Sequence, residues 1–292
     1  MTRSDRPLSR KLVRLGFQVL GRARAHRQDL WPGLAIDRAS GAVSWKGGHL
    51  LTLVPAAQFI PSGRPLLAIV GSGPSLRDQR VEALGSGTAI LCNGAAALAD
   101  RIRPLAVAVE DERFVFRHHA MLAALPCDIP LMLSPSAMRA LAERDTGPLR
   151  DRDVALIENV IKPIGAARRA LTDPELSDFV ILGREGAISV APDRGVVITG
   201  TVAFSALQFA LAAGPERILL AGIDLTNDTE PRFYERRADA APSGLRSGLR
   251  RILAGFSLAA TVAGRRGIAL DCASPVSALL DIGYRRDELL NP

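Results

Sequence analysis

The stretch Leu66–Leu76, which reads LLAIVGSGPSL, limits the possible folds of this chain more than any other. Its first five residues are apolar without interruption, as in a strand buried on both faces of a parallel sheet. Two glycines around a serine then allow a tight turn, and Pro74 suits a first helical turn. We therefore expect a strand at Leu66–Val70 and a helix over Ser75–Leu84. The turn between them could hold a phosphate or carboxylate on its amides, or could bind nothing.

The glycine turn fits neither the dinucleotide-binding fingerprint nor the phosphate-binding loop of NTPases. The fingerprint needs a third glycine where Leu76 stands. It also needs an acid about twenty residues further on, where Leu91, Cys92 and Asn93 stand. The NTPase loop needs a lysine before a serine or threonine, and no lysine is near. The sequence therefore predicts a glycine loop of another kind.

Strand, loop and helix patterns alternate from Leu66 onward, which predicts an α/β fold with a parallel sheet and helices on both faces. Further strands are predicted at Thr88–Leu91, Leu105–Val109, Ile129–Leu133, Val154–Ile157, Arg217–Ala221 and Ile268–Cys272. Helices are predicted at Val202–Ala213 and Leu245–Ala263, and a further regular segment at Val196–Thr199. The remainder of residues 144–196 reads as an irregular insertion or lid.

Changes of pattern divide the chain into three parts. Residues 1–30 predict a basic amphipathic helical arm, and residues 31–64 a small β appendage with a linker. The appendage carries short strand patterns at Val43–Trp45 and Leu50–Val54. Residues 65–292 form the main domain.

The arm carries the whole formal charge excess of the protein. The net charge is +7, and residues 1–27 hold eight basic residues and one acid. Apolar residues recur among them at helical spacing, at Leu8, Leu12, Leu15 and Val19. Such a helix is typical of binding to an anionic membrane surface, although it could also pack on its own domain.

The bulk composition excludes several classes. Aromatic residues make up 4% of the chain, too few for a platform that stacks nucleic-acid bases. The three cysteines follow no zinc or disulfide spacing, which favours a reducing, cytoplasmic compartment. No run approaches the roughly 20 apolar residues of a membrane span, so we expect a cytoplasmic protein, which the basic arm could hold at the inner membrane as a peripheral protein.

Polar or small residues follow four of the predicted strands. They are Gly71 to Gly73, Asn93, Glu110 to Glu112, and Gly222 to Asp224 with Asn227. The carboxyl ends of parallel strands lie along one edge of a sheet, so these groups should converge on one crevice. The sequence therefore predicts a binding site there.

Five segments together resemble one family of enzymes. They are Gly71–Leu76, Cys92-Asn93, Ile198–Thr201, Arg217–Asp224 and Cys272–Leu280. In order and spacing they resemble the bacterial sialyltransferases of glycosyltransferase family 42 and the wider group of GxGPSL proteins, over roughly residues 66–282. The resemblance implies a Rossmann-like domain of the GT-A variant type that binds a CMP-sugar without a metal or other cofactor. It also implies transfer of an acidic keto-sugar to a surface glycan.

The resemblance assigns binding roles to individual residues. The glycine loop, with Gly71, Ser72, Gly73 and Ser75, would approach the nucleotide. Asn93 would hydrogen-bond the nucleotide or the donor sugar. Further contacts would come from Thr199 and Thr201 near the cytidine, Gly222 and Asp224 at the pocket floor, and Thr226 and Tyr234 at the places of phosphate-gripping tyrosines.

The catalytic base departs from the family pattern. The family uses a histidine after the segment that ends at Asp224, and this chain has none there. Glu110 and Asp111 are the best replacements, because neighbouring acids in a cleft raise each other's pKa. His118 is the next candidate. The same acids could instead begin a helix, and His118 with His119 could be a surface pair.

Each of two charged motifs allows two interpretations. Asp151-Arg-Asp153 matches the DxD motif of metal-dependent glycosyltransferases, but its charged surroundings favour a solvated loop. Arg232, Arg236 and Arg237 could hold phosphate or carboxylate, or could be exposed charges on a loop.

We therefore expect a glycosyltransferase that moves sialic acid, a related sugar or Kdo from CMP to a lipopolysaccharide or capsule acceptor. Two alternatives stay open. One is a GxGPSL protein of another role, such as a flagellin-modifying transferase or a pterin pyrophosphokinase. The other is a non-catalytic relative that binds nucleotide or glycan. No nucleic-acid partner is expected.

Overall fold

The computed structural model describes residues 6–19, 21–226, 230–235 and 245–292, and its centre is a parallel sheet of eight strands. All the pairings between neighbouring strands of this sheet are parallel. The strands are β4 (Leu66–Val70), β5 (Ala89–Cys92), β6 (Ala106–Val109), β7 (Leu131–Leu133), β8 (Val154–Leu156), β11 (Arg217–Ala221), β12 (Ala269–Cys272) and β13 (Arg285–Arg286). Their spatial order is β13-β12-β11-β4-β5-β6-β7-β8. The predicted α/β fold with a parallel sheet is therefore confirmed.

Helices cover both faces of the sheet. They are α2 (Glu112–Ala123), α3 (Pro135–Arg144), α4 (Val202–Ala213) and α5 (Leu245–Arg265). Along β4, Leu67 and Ile69 share a buried cluster with α4 and α5, whereas Ala68 and Val70 share the opposite cluster with α2 and α3. Side chains alternate between the faces of a strand, so one apolar run supplies two cores.

The chain begins with helix α1 (Leu8–Val19) and a three-stranded antiparallel sheet. The strands of that sheet are β1 (Leu34–Ile36), β2 (Ala42–Trp45) and β3 (Gly48–Thr52). Its buried residues, such as Val43 and Leu51, belong to the same core cluster as α2 and α3. The small sheet therefore shares its core with the main sheet. A hairpin of β9 (Val180–Leu182) and β10 (Ala187–Ser189) lies within the otherwise irregular segment before α4.

The helix predicted over Ser75–Leu84 is wrong. Two short 3₁₀ turns, Pro74–Asp78 and Val81–Leu84, occupy the segment. Between them Gln79 is extended and its side chain donates to the Ala273 carbonyl oxygen at 2.6 Å. Contacts with distant parts of the chain therefore interrupt the helix at Gln79.

Val196–Thr199 forms no strand. Val196 makes only an isolated bridge with Asn159. The side chain of Gln208, on α4, accepts from the Val197 amide and donates to the Val197 carbonyl oxygen, each at 2.9 Å. A buried side chain here supplies the hydrogen bonds that a neighbouring strand would otherwise supply.

The order of the sheet reverses between β4 and β11. From β4 the chain builds outward through β5 to β8 on one side, and β11, β12 and β13 lie on the other side. A crevice outside the carboxyl ends of the strands at such a reversal is the usual ligand site of an open α/β sheet.

None of the helices in the described ranges is both long enough and apolar enough to cross a membrane.

Candidate functional site

A cavity of about 280 Å³ opens at the carboxyl ends of β4, β5, β6 and β11. It lies at the reversal point of the sheet. Nine of the residues singled out in the sequence line it: Gly71, Ser72, Gly73, Asn93, Glu110, Asp111, Thr201, Gly222 and Asp224. The four loops thus meet as the parallel topology requires.

The glycine loop after β4 packs directly against the loop after β11. A Cβ on Gly71 would collide with the Gly222 carbonyl oxygen, and one on Gly73 would collide with the Asp224 carboxylate. Gly222 itself has a φ angle of +59°, in the left-handed region. The glycines are therefore needed to bring these two backbones together.

Asp224 is a structural carboxylate. It accepts hydrogen bonds from the Ser75 amide at 3.0 Å, the Ser75 hydroxyl at 2.6 Å and the Ser274 hydroxyl at 2.5 Å. The Gly73 amide likewise donates to the Gly222 carbonyl oxygen at 2.8 Å. The amides of Gly73 and Ser75 are thus hydrogen-bonded within the protein, which favours the second interpretation of these amides, that they bind no anion. Ser75 itself does not line the cavity.

Glu110 is the first residue after β6, and it lines the cavity. Burial raises the pKa of Glu110 to about 7. The nearby Ser205 hydroxyl acts to lower this pKa, and the Asp111 charge acts to raise it. Its Oε1 atom is buried and has no hydrogen-bond partner among the described residues. A carboxyl group of this kind can gain or lose a proton near neutral pH.

Asp111 is engaged with its own helix. Its carboxylate caps α2 by accepting from the Arg113 amide at 2.9 Å, and it forms an ion pair with the Arg113 guanidinium at 2.6 Å. The acidic stretch thus begins a helix at Asp111, while Glu110 stays outside that helix.

Asn93 has an unusual backbone and an unpaired side-chain oxygen. Its φ angle is +49°, which asparagine tolerates better than most residues. The Oδ1 atom is buried without a hydrogen-bond partner among the described residues, although the residue lines the cavity. Buried polar atoms are normally paired, so Asn93 and Glu110 together mark the interior of this cavity as a polar binding surface.

The segment before α4 contributes through Gly200 and Thr201, which line the cavity. Thr199 is buried and does not line it. Its carbonyl oxygen accepts from Arg251 Nε at 2.7 Å. The structure therefore places Thr201, but not Thr199, where a ligand could touch it.

Three other predicted residues lie outside the cavity lining. His118 sits at a kink in α2, with its ring edge-on to Tyr234 at 5.4 Å between centroids. The Tyr234 ring covers Gly94, where a Cβ would run into it. Thr226 is exposed and donates to the Val276 carbonyl oxygen at 2.9 Å. His118 and Tyr234 thus pack on each other, and Thr226 fixes a loop.

Two arginines line the cavity: Arg113, which the sequence analysis missed, and Arg232. Arg232 pairs with Glu235 at 2.9 Å, and Arg113 pairs with Asp111. A guanidinium has five donors, more than one carboxylate uses. The only feature of the sequence that pointed to Arg113 was its position directly after the acidic residues that follow a strand. Glu230 also lines the cavity, while Asn227, Arg236 and Arg237 lie outside the described residues.

The DxD motif lies at the opposite ends of the strands from the cavity. Asp151 and Asp153 precede β8, whereas the cavity lies beyond the carboxyl ends of the strands. Within the described ranges, no group of three or more His, Cys, Asp or Glu side chains is arranged to hold a metal ion. Asp151-Arg-Asp153 is therefore separate from the cavity.

Comparison of the chain with models of known protein families, with curated proteins and with solved structures found no match.

Proposed function

We propose that this protein is a glycosyltransferase that moves an acidic keto-sugar from a CMP-activated donor to a hydroxyl of a surface glycan, such as lipopolysaccharide or capsule. The observation that carries the proposal is Glu110. Glu110 lines a polar cavity beside the glycine loop, its Oε1 atom is buried, and its pKa is about 7. This is the environment that a general base needs at neutral pH.

In the proposed reaction Glu110 accepts the proton of the acceptor hydroxyl. The acceptor oxygen forms a bond to the anomeric carbon of the donor sugar. The bond from that carbon to the phosphate oxygen breaks, and CMP leaves with the electron pair. Asp111 is a weaker candidate because it already accepts from the Arg113 amide and pairs with its guanidinium.

The phosphate and carboxylate of a CMP-sugar donor are negatively charged, so cationic side chains are expected to bind them. Two arginines, Arg113 and Arg232, line the cavity. Guanidinium groups bind phosphate and carboxylate in a bidentate manner, so we assign them the donor phosphate and sugar carboxylate. Asn93 would hydrogen-bond the nucleotide or sugar through its unpaired Oδ1.

The GT-A variant type of fold belongs to the same proposal, as does a cytoplasmic location. The resemblance of the five segments to family 42 supports the first. The scattered cysteines support the second, because a reducing compartment keeps thiols free.

A nucleotide screen tests the proposal. Thermal unfolding is followed with CMP, UMP, GDP and ATP, each with and without magnesium, because a ligand that binds only the folded state raises the melting temperature. We expect CMP alone to stabilise the protein, and CMP-sialic acid or CMP-Kdo to release CMP when a glycan acceptor is added. Stabilisation by ATP with magnesium, and none by CMP, would favour a pyrophosphokinase instead. CMP binding without turnover on either donor would favour the non-catalytic relative.

A further inference from the structure

Helix α1 turns a charged face toward the protein and its apolar face toward solvent, which is the reverse of an ordinary surface helix. Its Arg10 side chain is 1% exposed and reaches Glu112 at 3.1 Å and the Trp31 carbonyl oxygen at 2.8 Å. Its apolar stripe faces outward, with exposed fractions of 76% for Leu8, 70% for Leu12, 59% for Leu15 and 81% for Val19. A helix that merely packs on its domain turns such a stripe inward.

Ion pairs fix this orientation. Arg6, Arg10 and Arg14 all pair with Glu112 at the start of α2. Glu112 is 2% exposed, so these contacts are largely removed from water and anchor one face of α1 to the protein. Turning the stripe inward would break them and leave the Glu112 carboxylate buried with fewer partners.

Exposed cations lie on α1 and shortly after it. Lys11, Arg22 and Arg24 are exposed, and none of the three forms an ion pair with another described residue. We call the stripe and these three cations the α1 surface.

We propose that the α1 surface binds the face of an anionic lipid membrane. The leucines and Val19 enter the boundary of the acyl chains, and the cations contact lipid phosphates. A second copy of the chain is a poorer occupant, because it would bring the same cations against Lys11, Arg22 and Arg24. The inference does not depend on the proposed glycosyl transfer.

Deletion of the arm is an unsuitable test. Removing Arg6, Arg10 and Arg14 would leave buried Glu112 with Arg139 as its remaining cation partner among the described residues, and the main domain would be disturbed. Substitutions on the outward face avoid this problem, because that face makes no contribution to the Glu112 contacts.

The experiment measures co-sedimentation of the full chain with vesicles of phosphatidylcholine alone, or with one-third phosphatidylglycerol. A stripe variant carries Leu12→Gln and Leu15→Gln, and its control carries Leu182→Gln and Val276→Gln, two exposed apolar residues elsewhere. We expect the stripe variant to bind anionic vesicles at least tenfold more weakly, since glutamine cannot enter the acyl boundary. The control should bind within twofold of the unmodified chain.

A second pair of variants tests the cations. Lys11, Arg22 and Arg24 are changed together to glutamine, and the control changes Arg150, Arg265 and Arg286, which are also exposed. Each cation near an anionic surface is worth on the order of fivefold, so the first variant should lose about 100-fold at low salt. The control should lose far less, and added salt should weaken binding of the unmodified chain.

Three results would overturn the proposal. The first is equal binding of the unmodified chain to neutral and anionic vesicles. The second is unchanged binding by both the stripe and cation variants. The third is a dimer in sedimentation velocity that the stripe variant abolishes while vesicles bind neither protein, which would assign the α1 surface to a second copy.

Discussion

Glu110 and Glu112 follow the same strand, two residues apart, and both carry buried carboxylate oxygens, yet their surroundings are opposite. Glu110 forms no ion pair with a described residue, and burial raises its pKa to about 7. At Glu112 burial also acts to raise the pKa, but Arg6, Arg10 and Arg139 outweigh it and hold the pKa below its usual value. Burial alone therefore does not decide the charge of a carboxyl group; its partners do.

The comparison separates a reactive region from a structural one. The cavity residues Asn93 and Glu110 each carry a buried oxygen without a hydrogen-bond partner in the described part of the chain, whereas Asp224 and Glu112 are held by several donors each. Unpaired buried groups cost stability and persist where a ligand or reaction uses them. We expect substitutions in the two regions to affect different measurements.

The largest expected effect is on turnover. Glu110→Gln keeps the shape of the side chain but cannot accept the acceptor proton, so turnover of a CMP-sugar should fall by about 10²–10⁴. CMP affinity should stay the same. In the unmodified enzyme turnover should rise with pH through about 7 as Glu110 loses its proton, and this dependence should vanish in the variant.

Asp111→Asn is the matched control for that prediction. Asparagine also caps a helix, so α2 should keep its first turn. We expect a turnover loss of less than tenfold. A larger loss for Asp111→Asn than for Glu110→Gln would move the base to Asp111.

The next effect is on stability, and it belongs to Glu112. Glu112→Gln leaves the buried side chains of Arg10 and Arg139 without their shared carboxylate. The free energy of unfolding should fall by about 3–5 kcal/mol, as for a buried ion pair that loses one partner. Urea unfolding measures it. Glu143→Gln removes the more exposed partner of Arg139 and should lower the free energy of unfolding by about 1 kcal/mol or less. Equal losses for both variants would show that Glu112 stabilises the fold no more than Glu143 does.

The two carboxyl groups should also give opposite pH dependences of stability. The folded pKa of Glu110 is raised, so its contribution falls as pH rises from its usual value of 4.5 to about 7. The folded pKa of Glu112 is lowered, so its contribution is present above its unfolded pKa and is lost as pH falls through the folded pKa.

For Glu110 the change should be about 2–3 kcal/mol, after a discount for partial exposure. It is measured as the difference in unfolding free energy between the unmodified protein and Glu110→Gln, at several pH values between 4.5 and 7. A difference that stays constant over this interval would show that the Glu110 pKa is not raised.

The smallest effect concerns Asn93. Asn93→Gly removes the carboxamide yet suits the φ angle of +49°, which alanine would not. CMP affinity should weaken by about 1–2 kcal/mol, the cost of losing one buried hydrogen bond, while the ligand-free melting temperature changes little. Calorimetric titration measures the affinity. A variant that binds CMP normally but melts much earlier would make Asn93 a structural residue.

Regular elements with continuous apolar runs were predictable from the sequence. The strands Leu66–Val70 and Arg217–Ala221 and the helix Val202–Ala213 have the predicted bounds. Their signal is local, because an apolar run bounded by glycine or proline has few other uses. The segments that were wrong, Ser75–Leu84 and Val196–Thr199, are those whose backbone groups bond to distant side chains.

The site was partly predictable for a similar reason. Strand ends are visible in sequence and a parallel sheet brings them together, so nine lining residues were named correctly as neighbours. The direction of a side chain was not visible. The Thr226 hydroxyl donates to the Val276 carbonyl oxygen, Thr199 is buried away from the cavity lining, and Arg113 lines the cavity instead.

The sequence by itself determined the parallel α/β fold and the convergence of its polar loops, because both follow from residue order and periodicity. Only the tertiary structure decided which of the acids after β6 stays uncompensated, and which face of α1 meets water. Both depend on where Arg6, Arg10 and Arg139 come to lie relative to Glu112. The pairs of Arg6 and Arg10 with Glu112 join residues about a hundred positions apart. Electrostatic energy depends on distance in space and not on distance along the chain.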